Sequence, residues 1–412
     1  MQDRQLYQQI LGISSPWEVA SVELKLEAGE IHVQLSHAAD TTWCCAECGK
    51  ACSLHDHQPE RVWRHLDTCQ YQTLLHAQIP RTDCPEHGVR TVTVPWALPG
   101  SRFTMLFEQI VISWLRAASQ SAVALRMKLS WDEVHGIMDR AVKRGLERRQ
   151  AKPLTYVGVD EKSFKKRHNY VTVVSDLTEG CVLYVSEDRK QSSLDSFWPT
   201  LTTEQLNGIQ AVTMDMWQAY EQSVIAHVPD GESKIVFDKF HVAKHLGEAV
   251  DKVRRQENKE LRAVGDDRLV KTRFKWLTNR HNHTTDQWRD FKSLRESNLK
   301  TARAWALREQ AMKLFDYFYH KPAEKHFAWW YRWATRSRLT PMIEKAKMLK
   351  SRIRNILTHI THPITNALSE SLNAKIQWAK STARGFRNKQ NFINAIYFHC
   401  GKLDLNPVPS PT

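Results

Sequence analysis

Three carboxylates sit where phosphodiester chemistry would need them. Asp160 closes the apolar run Tyr156-Val157-Gly158-Val159, and Asp215 closes IQAVTMD. Glu370 lies far downstream in the polar stretch NALSESLNAKIQ. Transfer or hydrolysis of a phosphodiester requires an activated oxygen nucleophile and a stabilised leaving oxygen, which two hard divalent cations can supply together. Mg²⁺ or Mn²⁺ takes carboxylate oxygens and keeps several waters, so two or three acids suffice for a two-ion site. Each acid also has a plainer reading. Asp160 is followed by Glu161, which could replace it or join it in a soluble strand end. Asp215 precedes an inferred helix that it could cap. Glu370 could be one more solvated helical acid.

A second constellation is built from sulfur and imidazole. Cys45-x-x-Cys48 and Cys84-x-x-His87 each lie in a tight turn flanked by Gly or Pro, 35 residues apart (49–83). Two such knuckles suit one tetrahedral, structural Zn²⁺. Cys44, Cys52, His55 and His57 are close enough in sequence to exchange into the set. Clustered cysteines in a chain without a recognisable signal sequence point to metal before disulfide. Cytoplasmic, nucleoid-associated residence is the corresponding expectation.

The surrounding pattern indicates what must position these groups. Residues 17–36 alternate apolar and polar on both sides of Glu27-Ala28-Gly29, a hairpin signature. The knuckles extend this into a β-rich module over 1–98. Residues 99–152 turn helical, and SAVALRMKLSWDEVHGIMDRAVKRGLERR reads as helix, turn, helix, with Ser130 and Glu133 forming a capping box. The second helix of such a pair enters a major groove when it binds DNA. Ser130, Trp131, His135, Arg140, Lys143 and Arg144 are its candidate DNA contacts.

From 153 the period changes to strands. TYVGVD, NYVTVVSDL and CVLYVS are followed by a helix over SSLDSFWPTLTTEQL, the strand IQAVTMD, the helix WQAYEQSVIAHV and a fifth strand in SKIVFDKFH. Three hairpin-linked strands, then helix–strand–helix–strand, is the order of a ribonuclease-H-like core. In open α/β sheets, sites gather at strand ends. Residues 241–361 are helical throughout, and 362–402 return a last helical part of the core. The Pro-rich tail 403–412 is expected to be disordered. The fold class is thus multidomain α/β, an α/β core interrupted by an all-α insertion and preceded by a zinc-binding module and a helix-turn-helix.

Charge favours a polyanionic partner. The 412-residue chain carries a net charge of +14, and residues 241–360 alone hold 28 Lys and Arg against 13 Asp and Glu. Each cation that neutralises a phosphate releases a counterion. Lys375, Arg384 and Arg387 extend the basic stretch. No apolar run approaches the roughly 20 residues needed to span a bilayer, so no membrane partner is expected. The spacing of Trp329-Trp330-x-x-Trp333 predicts core packing, and core packing is also the expectation for Trp217. His241 and Asn373 join Glu161 and Trp217 as candidate support for the carboxylates. His281-Asn282-His283 spells HNH, but that nuclease motif is spread over strands and a helix, so the match is discarded.

Taken together, CAEC, CPEH, the helix pair, VGVDEKSFKK, VTMDMWQAY, FDKFH, NALSESLNAKI and ARGFRN resemble bacterial insertion-sequence transposases of the ISL-three family, which carry a DDE catalytic domain. The resemblance covers nearly the full length. It implies that Asp160, Asp215 and Glu370 form a metal-binding triad, and that an α-helical insertion separates the fifth strand from the final acid. It further implies cleavage at terminal inverted repeats of double-stranded DNA, strand transfer into target DNA, and a homodimer or larger synaptic complex. His87 stands where many members place cysteine. A ribonuclease-H-like nuclease or resolvase that cuts without joining, and a transposase-derived DNA-binding regulator with idle acids, are the other readings.

Overall fold

The computed structural model describes residues 3–165, 169–278, 282–364 and 367–408. Lys166, His281 and Asn366 of the motifs above, and tail residues 409–412, lie outside them. The chain forms two compact units, one of Met1–Arg149 with Ser381–Arg384 and Leu403–Thr412, the other of Gln150–Lys380 with Gly385–Lys402.

The first unit begins with α1 (Asp3–Ile10) and the expected hairpin, β1 (Trp17–Lys25) and β2 (Glu30–His37), antiparallel from Trp17↔His37 to Lys25↔Glu30. β3 (Trp43–Cys44), β4 (Ala51–His57), β5 (Arg61–Arg64), β6 (Gln72–Ala77), β7 (Pro80–Cys84) and β8 (Gly88–Thr91) follow. They complete two four-stranded sheets, ordered β1-β2-β6-β5 and β3-β4-β7-β8. Trp17 anchors the module, with its ring 4.9 Å from Trp96 and 5.6 Å from Trp43. Such tilted and edge-on aromatic pairs add to the area they bury.

Three helices complete this unit: α2 (Met105–Leu115), α3 (Gln120–Met127) and α4 (Trp131–Glu147). Lys128 ends α3 in the left-handed region at φ 53°, and two residues later Ser130 starts α4 with the expected capping box. That short αL turn sets the angle between the helices. The C-terminal stretch is not a free tail as far as Val408. Leu405 is buried, and the Arg144 guanidinium donates to its carbonyl at 2.7 Å. Gly145 admits this approach, because a Cβ there would stand 2.6 Å from the Leu403 Cβ.

The second unit is built on β9 (Tyr156–Lys165), β10 (Asn169–Asp176), β11 (Cys181–Glu187), β12 (Ala211–Met214) and β13 (Ile235–Phe237), in the order β11-β10-β9-β12-β13. The first three are antiparallel, and β12 and β13 are parallel to β9. Val157, Val159, Val212 and Met214 share one core with Leu194, Trp198, Tyr220 and Leu246 from the helices that follow. The expected single helix over SSLDSFWPTLTTEQL is divided. α5 (Gln191–Asp195) stops before a 3₁₀ turn at Trp198–Thr200 containing Pro199, and Thr202 caps α6 (Thr203–Gly208) with its own box. Proline cannot continue an α-helix ladder, so the chain turns there. α7 (Gln218–His227) and α8 (Gly231–Lys234) lead into β13, which is shorter than expected because Asp238 caps a helix at once.

From Lys239 to Thr361 every described element is helical. These are α9 (Lys239–Ala263), α10 (Arg273–Leu277), α11 (Thr285–Asp290), α12 (Lys292–Arg295), α13 (Lys300–Met312), α14 (His320–Arg336), α15 (Thr340–Ser351) and α16 (Ile353–Thr361). The tryptophan motif divides by face: Trp330 is buried, whereas Trp329 and Trp333 are 47% and 37% exposed and pack on each other at 5.6 Å. Residues i and i+4 share a face, and here that face is open. α17 (Ala367–Thr382) and α18 (Lys389–Cys400) close the chain. The hydroxyl of Tyr397 on α18 accepts a hydrogen bond from the Val185 N–H of β11, tying that helix to the sheet edge.

Gly158 explains one letter of VGVDE. A Cβ there would lie 2.8 Å from the Ser175 Oγ and 2.9 Å from the Leu177 Cδ2, so β10 and its turn close over β9 only where the side chain is absent. Gly158→Ala is expected to destabilise the second unit by about 1–3 kcal/mol, the usual range for overpacking. Denaturant unfolding followed by tryptophan fluorescence measures this; an unchanged midpoint contradicts the account.

Candidate functional site

Strand register brings the two aspartates level. β9 and β12 pair Tyr156↔Ala211, Val157↔Val212 and Gly158↔Thr213. Extending that register by two positions aligns Asp160 with Asp215, which directly follows the end of β12, on the face that Gly158 shares by alternation. Only β12 ends there. β9 continues to Lys165 against β10, so Asp160 is mid-strand rather than the strand end expected from the sequence. Both side chains remain partly open, at 28% and 23% exposure.

Each carboxylate is held from several sides. Asp160 Oδ1 accepts the Glu161 N–H at 2.7 Å, and its Oδ2 accepts Lys162 Nζ at 2.6 Å and Asn373 Nδ2 at 3.0 Å. Asp215 Oδ1 accepts the Met216 N–H at 2.8 Å and lies 3.0 Å from His241 Nδ1. The ring N–H is not aligned on the carboxylate, so this contact is a charge pair rather than a directed hydrogen bond. Burial alone pushes Asp215 up and His241 down. Their mutual contact outweighs it, leaving Asp215 below the usual carboxylate value and His241 above the usual imidazole value. Asp238 and Asp160 add to the negative field at His241. The imidazole is therefore biased toward its charged form.

Glu370 is exposed in the first turn of α17, three residues before Asn373. Residues three apart share a helix face, so the contact of Asn373 brings that face of α17 to Asp160. The three carboxylates do not form a closed cluster. Among the described residues, one group of three or more His, Cys, Asp or Glu ligand atoms lies within 4.8 Å of one another, and it is the Cys45 set.

The other candidates divide clearly. Glu161 faces away from Asp160's side and meets Arg189 Nη1 at 3.4 Å. Trp217 is not core: it is 41% exposed, donates its indole N–H to the Arg189 carbonyl at 3.1 Å, and lies under that residue's guanidinium at 4.8 Å.

The sulfur–imidazole site is assembled by sheet pairing. Cys45 and Cys48 occupy the β3–β4 turn, where Gly49 takes φ 71°; Cys84 and His87 occupy the β7–β8 turn, where Gly88 takes φ 67°. β4 pairs with β7 through Ser53↔Asp83 and Leu54↔Thr82, and this sets the two turns side by side. Cys48 and Cys84 sulfurs are 3.7 Å apart, and His87 Nδ1 stands 3.8 Å from Cys45 and 3.6 Å from Cys84. A tetrahedral zinc with bonds near 2.3 Å requires ligand separations of about 3.8 Å, so the four atoms fit it. Of the sequence alternatives, Cys44 is exposed, Cys52 donates to the Lys50 carbonyl, His55 meets Asp56, and His57 meets His37.

On the helix pair, Trp131 is exposed and stacks with His135 at 4.9 Å, and Lys143 is exposed. Arg140 is committed inward, donating at 2.5 Å to Glu108, a fully buried carboxylate that also accepts from Ser101. Arg144 is bound to the Leu405 carbonyl.

Comparison with known proteins agrees with this layout. Residues 157–396 match a family model of DDE type for ISL3 (ISL-three) elements, described as Transposase. Residues 92–142 match the helix-turn-helix domain of transposase family ISL3, and 41–87 match the zinc-finger of transposase IS204/IS1001/IS1096/IS1165. The chain belongs to the ISL3 family of insertion-sequence transposases. It is 30% identical to the transposase for insertion sequence element IS1001 of Bordetella parapertussis, over 85% of this chain and 87% of that one. It is 27% identical to the transposase for IS1557 of Mycobacterium tuberculosis, over 95% and 94%.

In this transposase, Lys375, Arg384 and Arg387 are exposed. No described helix is long and apolar enough to cross a membrane. Sequence reasoning overlooked Lys162, which follows Asp160 by two positions on the same strand face and was legible from alternation. It also overlooked Asp238, the cap inside FDKFH. Arg189, which links Glu161 to Trp217, had no local signal.

Two outcomes follow for the transposase. Purified protein is expected to carry one zinc per chain by elemental analysis. Cys84→Ser should lose that zinc, while His87→Cys should keep it, since thiolate can replace imidazole; retention by Cys84→Ser contradicts the ligand set. Arg140→Ala should destabilise the first unit by about 3 kcal/mol, because it leaves a buried carboxylate without its cation. A stability unchanged in thermal unfolding would return Arg140 to the surface.

Proposed function

We propose that this transposase cuts and joins DNA through a DDE triad of Asp160, Asp215 and Glu370, which would hold two Mg²⁺ or Mn²⁺ ions. The parallel register of β9 and β12, which aligns Asp160 with Asp215 just past the end of β12, carries the reading, and the contact of Asn373 with Asp160 brings the Glu370 helix to the same strand. The donors suit hard divalent cations: partly open carboxylate oxygens, already drawing the Lys162 ammonium and the His241 imidazole. When bound, such ions activate an oxygen nucleophile and neutralise charge on the leaving oxygen.

The protein's own groups supply position and field. Lys162 and Asn373 fix the rotamer of Asp160, and His241 fixes that of Asp215; both are positioning roles. Water attacks the phosphodiester at a transposon end, one P–O bond forms as one breaks, and a 3′-hydroxyl is released. That hydroxyl then attacks a target phosphodiester, exchanging one P–O bond for another. Holding the reactants in line contributes much of the rate in such chemistry.

Strand order 3-2-1-4-5, followed by helices and a returning acid, supports a ribonuclease-H-like core over 153–240 and 362–402 with an all-α insertion at 241–361. The zinc module (1–98) and helix-turn-helix (99–152) would read terminal inverted repeats. With Arg140 and Arg144 engaged internally and Ser130 committed to the capping box with Glu133, that leaves Trp131, His135 and Lys143 of the expected contacts on the helix. Lys375, Arg384 and Arg387 would hold backbone phosphates of repeat or target duplex. Joining two ends calls for a homodimer or a larger synapse.

An end-labelled inverted-repeat duplex incubated with Mg²⁺ tests the reading. Wild type should give both cleaved and joined products. Asp160→Asn, Asp215→Asn and Glu370→Gln should each lose more than about 100-fold of both, exceeding the 10–100-fold typical of residues behind the ligands, with repeat binding retained. Cleavage without joined products would instead indicate a nuclease; unimpaired variants would remove the triad.

A further inference from the structure

Beside the proposed catalytic carboxylates lies a cavity with no role in the scheme above. Its volume is about 490 Å³, and it runs between α9 and α10. That is within the roughly 300–1,000 Å³ of small-ligand sites. One wall is a single stripe of α9, Phe240, Lys244, Gly247 and Arg255, and the other carries Arg273 and Leu277 of α10. The first residue of the stripe neighbours the carboxylate site through His241. Phe240 precedes His241, whose Nδ1 lies 3.0 Å from Asp215, and the two rings meet edge-on at 5.8 Å.

Two features of the wall specify a ligand. Phe240 is 65% exposed, so its ring is open to a ligand. Leu277 adds a second apolar side chain to the same lining. The charge is cationic in excess. The Asp251 carboxylate is shared by three guanidinium groups, Arg254 at 2.8 Å, Arg255 at 3.3 Å and Arg273 at 3.7 Å. Glu248 is engaged by Lys345 at 3.4 Å and His245 at 3.6 Å. Lys244 is exposed and makes no ion pair among the described residues. An aromatic platform beside surplus cations is the recognition chemistry of a single-stranded nucleotide, base on the ring and phosphate on the charges. Gly247 keeps the channel open between them; a Cβ there would reach Leu277 Cδ2 at 3.7 Å, and anything larger would fill the space.

We propose that this cavity takes one unpaired nucleotide of the DNA next to the scissile phosphate, its base against Phe240 and Leu277 and its phosphate on Lys244 and Arg273. The proposal rests on the DNA-joining reading given above. It implies that the transposase engages its substrate with one base drawn out of the duplex beside the cut, and that distorted junctions bind better than fully paired ones.

The test compares binding of two inverted-repeat duplexes in EDTA, one fully paired and one with a single unpaired base at the junction. Wild type should prefer the unpaired form. Phe240→Ala should weaken binding of that form about tenfold, as loss of one stacked base does, while changing the paired form less than twofold. Gly247→Leu, which fills the channel without touching the exposed ring, should do the same. If wild type binds both duplexes equally and neither variant matters, the cavity proposal is wrong and the transposase reading stands. If wild type binds neither duplex, both fall together. If free deoxynucleoside monophosphate binds wild type as tightly as the unpaired duplex does, and Phe240→Ala abolishes that binding, the cavity serves free nucleotides and the proposal is overturned.

Discussion

The parallel pairing of β9 with β12 is the constraint from which the second unit follows. Parallel strands cannot be joined by a tight turn, so the chain must leave the sheet and return through a crossover. Here it first adds β10 and β11 as an antiparallel flap, then crosses through α5 and α6 to reach β12 on the other side of β9. The result places β9 centrally, with Asp160 where the shorter β12 has already ended. An acid in that position has a neighbour on one side and open space on the other. It is partly dry, level with Asp215, and still reachable.

That geometry concentrates negative charge, and the surrounding residues answer it. Lys162, His241 and Asn373 reach the two carboxylates from a strand, from the first turn of α9 and from α17. The opposite shifts of Asp215 and His241 have one origin, since each group is the other's compensation for burial. Each carboxylate is thereby compensated by a neighbouring cation of the protein itself. The zinc module solves its problem differently. Its four ligands come from two turns, and the pairing of β4 with β7, not any packing of the ligands themselves, sets their distances.

Much of this was legible in the sequence because it rests on local chemistry. The hairpin around Gly29, the Ser130 capping box, the two knuckles and the strand order all announce themselves through alternation, turn residues or metal-ligand spacing. Features that depended on three-dimensional context were harder. Trp329 and Trp333 follow a helical spacing that fits core packing, yet spacing alone does not say which face meets the core. Arg140 and Arg144 look like DNA contacts on a basic helix until Glu108 and Leu405, distant in sequence, are seen to engage them. The Pro-rich end looked unfolded, and Leu405 is nevertheless buried because Gly145 leaves it room.

The basic helices raise a question that their charge alone does not resolve. Over residues 241–360 cations outnumber acids by about two to one, but many of those cations are spent on internal pairs. Arg254, Arg255 and Arg273 share one aspartate, and Arg308 is buried with its guanidinium on the Trp276 carbonyl. Net charge therefore overstates the surface available to phosphate. What distinguishes α9 from the other helices is placement. Its first turn supplies His241 to Asp215, and the adjacent stripe of Phe240, Lys244 and Gly247 lines a cavity. A helix that sends His241 to Asp215 from its first turn and lines a cavity with its next stripe couples the sheet directly to the helical region that it opens.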